Sequence, residues 1–184
     1  VQDAGANAYN VAVGASAGLS VTTGTQNIII GGLAGDALTT GSANVAIGYQ
    51  ALSSEDGHGR NVAIGKSALL NQNADDEAYN VAVGYHSGLS VTTGVQNTII
   101  GGEAGDALTT GSTNVAVGYA ALSTEDTGTR NTALGYQSLK TLNYDGQGYN
   151  TAVGYYAGQA MTTGVRNTLI GGSAGDSITS GERN

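Results

Sequence analysis

The chain of 184 residues contains no cysteine, proline, tryptophan or phenylalanine, a single methionine, two histidines and six lysines and arginines. Each absence excludes something. Without cysteine there is no disulfide framework, thiolate zinc site, iron-sulfur cluster or cysteine nucleophile, and the redox compartment stays open. His58 and His86 cannot by themselves build a His-rich metal site. Fourteen acidic residues against the six basic ones give a formal net charge of -8, which disfavours nucleic acid and an anionic membrane, since both attract clusters of Lys and Arg. No apolar run reaches about 18 residues, so no membrane insertion is expected. No charged start leads into an apolar stretch in the manner of a signal peptide. The first residue is Val1 rather than Met, which reads as processing or as an excerpt of a longer chain.

What is abundant is glycine, 31 residues, and a repeat. One asparagine recurs at Asn10, Asn27, Asn44, Asn61, Asn80, Asn97, Asn114, Asn131, Asn150 and Asn167, with Asn184 opening a further unit; the spacing is 17 residues, lengthened to 19 at every fourth step. Four units make a block of 70 residues, and about two-thirds of residues 10–79 recur unchanged 70 positions later. No linker or composition shift interrupts the pattern, so residues 1–184 read as one continuous array of about ten coils.

A unit such as NVAVGYHSGLSVTTGVQ reads Asn, any residue, usually Ala, a large aliphatic, Gly, two variable residues, a small residue, Gly or Leu, and then a Thr-Thr-Gly turn. Side chains at the second and fourth places of an extended segment share one face and the third points to the other. No period of 3.6 residues is sustained, and the glycine content penalises helix. The pattern predicts an all-β parallel solenoid of 17-residue coils, 19 every fourth coil. With strands about 4.8 Å apart, ten coils make a rod roughly 50 Å long. The stack is expected to bury the column of Val and Ile at the fourth place, with the recurring Asn as a ladder at a turn that tolerates a left-handed backbone. Acidic or amide-rich loops at Glu55-Asp56, Asp75-Asp76-Glu77 and Glu125-Asp126 recur with the block, and the two extra residues of the 19-residue units are expected to protrude. An Ala face packed against symmetric partners would keep both sides of the strand apolar, which favours an intertwined or side-by-side homotrimer over a monomer.

Units such as NTALGYQSLKTLNYDGQGY and NTAVGYYAGQAMTTGVR, through Asn150, Ala152, Val153, Gly154 and Tyr155 and their equivalents, resemble the Asn-Thr-Ala-Ile-Gly-Tyr arrays of phage tail fibres and related bacterial tail-fibre-domain proteins. They are more distantly similar to the shorter head repeats of trimeric autotransporter adhesins. The resemblance covers nearly the whole chain and implies a homotrimeric extracellular fibre on a virion or a bacterial surface, a fragment of a longer chain, with this array as its shaft and a tip that meets the host. It implies no enzyme.

Several residues invite a chemical reading. Gly14-Ala15-Ser16-Ala17-Gly18 matches the hydrolase Gly-x-Ser-x-Gly elbow, but the equivalents at 84–88 and 154–158 move or lose the Ser, which favours packing. Gly-Gly-x-Ala-Gly-Asp segments ending at Asp36, Asp106 and Asp176 resemble calcium β-roll turns, yet calcium takes six to eight oxygens and here the motif comes once per 70 residues, so an Asp turn is the better reading and no cofactor is expected. Thr22-Thr23, Thr39-Thr40, Thr92-Thr93, Thr109-Thr110 and Thr162-Thr163 raise an ice-binding face, but adjacent side chains point to opposite faces. Tyr49, Tyr85, Tyr119, Tyr136 and Tyr155 follow the strand Gly and are candidate contacts for host cell-surface glycans. Arg60, Arg130 and Arg166 are expected to pair with nearby carboxylates.

Overall fold

The computed structural model describes residues 8–184. Each unit contributes one three-residue strand directly after its Asn: β1 (Val11–Val13), β2 (Ile28–Ile30), β3 (Val45–Ile47), β4 (Val62–Ile64), β5 (Val81–Val83), β6 (Thr98–Ile100), β7 (Val115–Val117), β8 (Thr132–Leu134), β9 (Thr151–Val153) and β10 (Thr168–Ile170). They form one parallel sheet in chain order, each strand beside the next. Identical unit places align, as in Val45 with Val62 and Ala46 with Ala63. The fold is therefore the expected all-β solenoid, and the 19-residue units keep register because their extra residues are absorbed away from the sheet. Among the described residues, two isolated parallel bridges lie outside these strands, Thr129 with Gln147 and Val165 with Glu182.

The coil closes through positive-φ positions. Gly48, the residue after β3, has φ of 133°, and a Cβ there would collide with the carbonyl oxygen of Gly65 in the next coil. Only glycine meets both demands. Two and four places further on, and again just before each Asn, the backbone is left-handed, and most of these residues are not glycine: Gln50, Leu52 and Arg60 have φ of 57°, 52° and 62°. The left-handed residue is thus the one before the Asn, not the Asn itself. The Asn side chain is committed to the ladder described below, and its own backbone enters the strand.

The inside of the coil corrects the sequence reading. The third place faces inward and is buried, as in Ala46, Ala63, Ala82, Ala116, Ala133 and Ala152. The second and fourth places face outward and are nowhere buried; Ile100 is 38% and Ile170 70% exposed. The Val and Ile column expected in the core lies on the surface, and the Ala face expected against partner chains is the interior of the coil. The reason is space, because the large core side chains arrive from the opposite wall, at the ninth and twelfth places. Where the ninth place is Gly, the twelfth supplies Leu38, Val91, Leu108 or Met161; where it is Leu, as in Leu52, Leu69, Leu122 and Leu139, the twelfth is Glu55, Gln72, Glu125 or Leu142. The third place enlarges to Ile29, Ile99 and Leu169 only in coils whose ninth place is Gly. A Cβ on Gly35 would lie 2.8 Å from Leu38 and 3.5 Å from Ile29, so the exchange of volume between these three places is direct. The longer turns do not simply protrude: Gln72, Ala74, Ala78 and Leu142 are buried.

Candidate functional site

The asparagines form a continuous column. The Oδ1 of Asn27 accepts from the backbone N–H of Asn44 at 2.9 Å, and the same link repeats through Asn61, Asn80, Asn97, Asn114, Asn131, Asn150 and Asn167, beginning at Asn10. Each Nδ2 donates to a turn carbonyl 14 residues on: Asn10 to Gly24, Asn27 to Gly41, Asn44 to His58, Asn97 to Gly111. Asn61 and Asn131, which open the 19-residue coils, are the exceptions, and their Nδ2 atoms are buried without a partner. The two extra residues displace the carbonyl that would have received them. The column ties the strand of one coil to the far turn of its neighbour, so it is a structural device that, those two amides apart, consumes its own polar groups.

The tyrosines split into two sets. Tyr119, Tyr136 and Tyr155 stack along the rod with ring centroids 5.5 and 5.3 Å apart, and Tyr119 also lies over Gly102, as Tyr49 does over Gly32. Tyr85 stacks instead on His86 at 3.7 Å and lies beneath Lys66. All five candidates are exposed, but where the rings stack they cover one another's faces and present edges and hydroxyls. The Tyr119 hydroxyl donates to Glu103 at 2.8 Å, and this bond pushes its pKa up.

The other candidates are placed apart. The first Thr of each pair donates its hydroxyl to a backbone carbonyl of the next coil, as Thr22 does to Thr39 and Thr92 to Thr109. Asp36 accepts from the Ser53 hydroxyl, Asp176 from that of Ser177, and Asp106 has one buried oxygen without a partner, its pKa raised first by burial. These three aspartates belong to coils four apart and cannot share an ion. Ser16 is exposed at a left-handed turn position that Leu33 and Glu103 fill in other coils. Arg60 pairs with Glu77 at 2.9 Å and Arg166 with Glu182 at 3.2 Å, while Arg130 lies over the Tyr149 ring.

Two residues expected in solvent-facing acidic loops are buried. Glu55 and Glu125 occupy the twelfth, core-facing place and are inaccessible to solvent, and burial raises the pKa of both against the opposing pull of backbone hydrogen bonds. Aligning the units place by place would have found them, since the same column reads Val21, Leu38, Val91, Leu108 and Met161 elsewhere. The two sites differ. The Glu125 carboxylate accepts from the amides of Gly128 at 2.8 Å and Tyr144 at 3.2 Å. The Glu55 Oε1 accepts from the His58 amide at 3.0 Å; its Oε2 makes no hydrogen bond of good geometry, although the Ala74 amide is close enough to pull the pKa down.

In comparison with known proteins, no family model, no curated protein and no solved structure matches the chain.

Proposed function

We propose that this chain is a shaft segment of an extracellular fibre of the phage tail-fibre type, in which three copies of the solenoid pack side by side through the outer faces of their sheets. The observation that carries the reading is the chemistry of that face. Its twenty outward residues are nine Val, six Ile, one Leu and four Thr, and none of the chain's charged residues lies among them. They form two straight columns roughly 45 Å long on a parallel sheet. A chain of net charge -8 has kept one whole side free of charge, so copies can meet there without like-charge repulsion. Parallel sheets are ordinarily covered on both faces. In this reading the rod is extracellular and its work is mechanical, holding a host-binding tip at a distance. A trimeric bacterial surface adhesin or filament would use the same face, and the sequence flanking the array separates the two.

The test is the mass of the native assembly by light scattering after size exclusion. Three times 18.2 kDa in an elongated particle supports the fibre, and a stable monomer sinks it. Val83→Lys with Val117→Lys, both on the outer face, should yield monomers that keep their β-sheet signal.

A second reading rests on the exposed tyrosine column. Stacked as they are, Tyr119, Tyr136 and Tyr155 would meet host glycans through hydroxyls and ring edges rather than by face stacking. Replacing all three by Ala should abolish retention on immobilised glycans and leave the assembly mass unchanged; equal retention removes this reading.

A further inference from the structure

Among the described residues, one group brings three metal-ligating side chains together: Glu55, Asp56 and His58, with one ligand atom from each lying within 4.8 Å of the others. We propose that these residues bind a divalent transition-metal ion of the zinc type, one per chain. An acidic cluster in a turn would not by itself make such a site, and two further observations point to a ligand. First, the Glu55 side chain is fully buried, yet its Oε2 lacks a hydrogen-bond partner, and so does the buried Nδ1 of His58, which stands 3.8 Å from the Glu55 Oε1. That separation is too long for a hydrogen bond. Two ligand atoms each about 2.0–2.1 Å from a tetrahedral ion stand about 3.3 Å apart, so a half-ångström closure brings both onto one ion.

Second, the chain contains its own control 70 residues later. There the equivalent carboxylate, Glu125, is satisfied by two backbone amides, and Gly128 stands where His58 stands in the earlier block. One copy of the turn is closed by the protein alone. The other replaces Gly with an imidazole and leaves the Glu55 Oε2 and the His58 Nδ1 each without a hydrogen-bond partner.

The donor set decides the metal. One imidazole nitrogen with two carboxylates suits zinc and its neighbours and falls short of the oxygen shell that calcium requires. Three protein ligands leave the fourth position to water, and the exposed Asp56 and the partly exposed His58 give the ion a route from solvent. Bound there, the ion would tie the turn of the third coil to its core and compensate the buried charge of Glu55.

The experiment is calorimetric titration of the untagged chain with zinc chloride, supported by the visible spectrum with cobalt. The parent should bind one ion per chain, and its urea midpoint should rise with saturating zinc. His58→Gly copies the residue of the equivalent turn and so should fold; it should bind at least about 100-fold more weakly. Glu55→Gln, which copies Gln72 at the same place of the next coil, should also lose binding, while His86→Ala should bind as the parent does. Absence of saturable binding in the parent, or unchanged affinity in His58→Gly, overturns the site. Neither result depends on whether the rod is a trimer.

Discussion

At the scale of the residue, the fold is governed by what each backbone position can tolerate. Gly48 has φ of 133° and its Cβ direction is filled by the next coil, so Gly48→Ala should cost about 3 kcal/mol or more in urea unfolding. Gly172 has an ordinary φ and nothing within 4 Å of where a Cβ would stand, so Gly172→Ala should stay within about 0.5 kcal/mol. Glycine count alone would treat the two alike. Titration is also a matter of single residues. Glu55 and Glu125 have folded pKa values raised above 4.5 by burial, so between 4.5 and those raised values the folded chain holds protons that the unfolded chain has released. Stability from this source is complete below pH 4.5, declines as pH rises through the folded values and is flat beyond them. Urea midpoints should therefore fall from pH 4.5 toward neutral in metal-free protein. Glu55→Leu, with the Leu139 and Leu142 pair of the eighth coil as precedent, should shrink that fall and stabilise the chain at neutral pH by about 1 kcal/mol.

At the scale of the coil, stability is shared between the asparagine column and the exchange of core volume. Asn97→Ala removes the acceptor for the Asn114 amide and the donor for the Gly111 carbonyl, both buried, and should cost about 3 kcal/mol. Asn61→Ala removes only the acceptor for Asn80, because its amide nitrogen has no partner, and should cost about 1 kcal/mol less. Equal losses at the two sites would show that the side branch to the turn contributes nothing. The Asn period was plain in the sequence, and so was the lengthening of every fourth unit. Which Asn would lack a partner was not, because that depends on where a turn carbonyl sits in three dimensions. The core was legible only in part. Ala at the third place was visible as small, but nothing local says that it faces Leu52 or Leu122 from the other wall.

At the scale of the whole molecule, ten coils build a rod whose sheet has one face inside the coil and one outside. The interior is closed by the chain's own Leu, Ile and Met side chains, so it offers no face for the self-association proposed above, and the Val83→Lys with Val117→Lys pair tests the outer columns without entering the core. Each coil contacts only its neighbours, so the loss from an interior substitution should propagate along the array rather than stay within one coil. Hydrogen exchange across the Asn97→Ala variant should show protection falling in the flanking coils first.

The sequence by itself determined the period, the strand positions and the parallel register, because a repeat imposes the same local conformation on each unit and stacking then follows. Which side of each strand is inside was decided only by the tertiary structure. A three-residue strand offers apolar side chains on both faces, and the choice rests on the volume delivered from the opposite wall, which puts Ala inside and Val and Ile outside. For the same reason Glu55, read from sequence as part of an acidic loop, lies in the core beside His58.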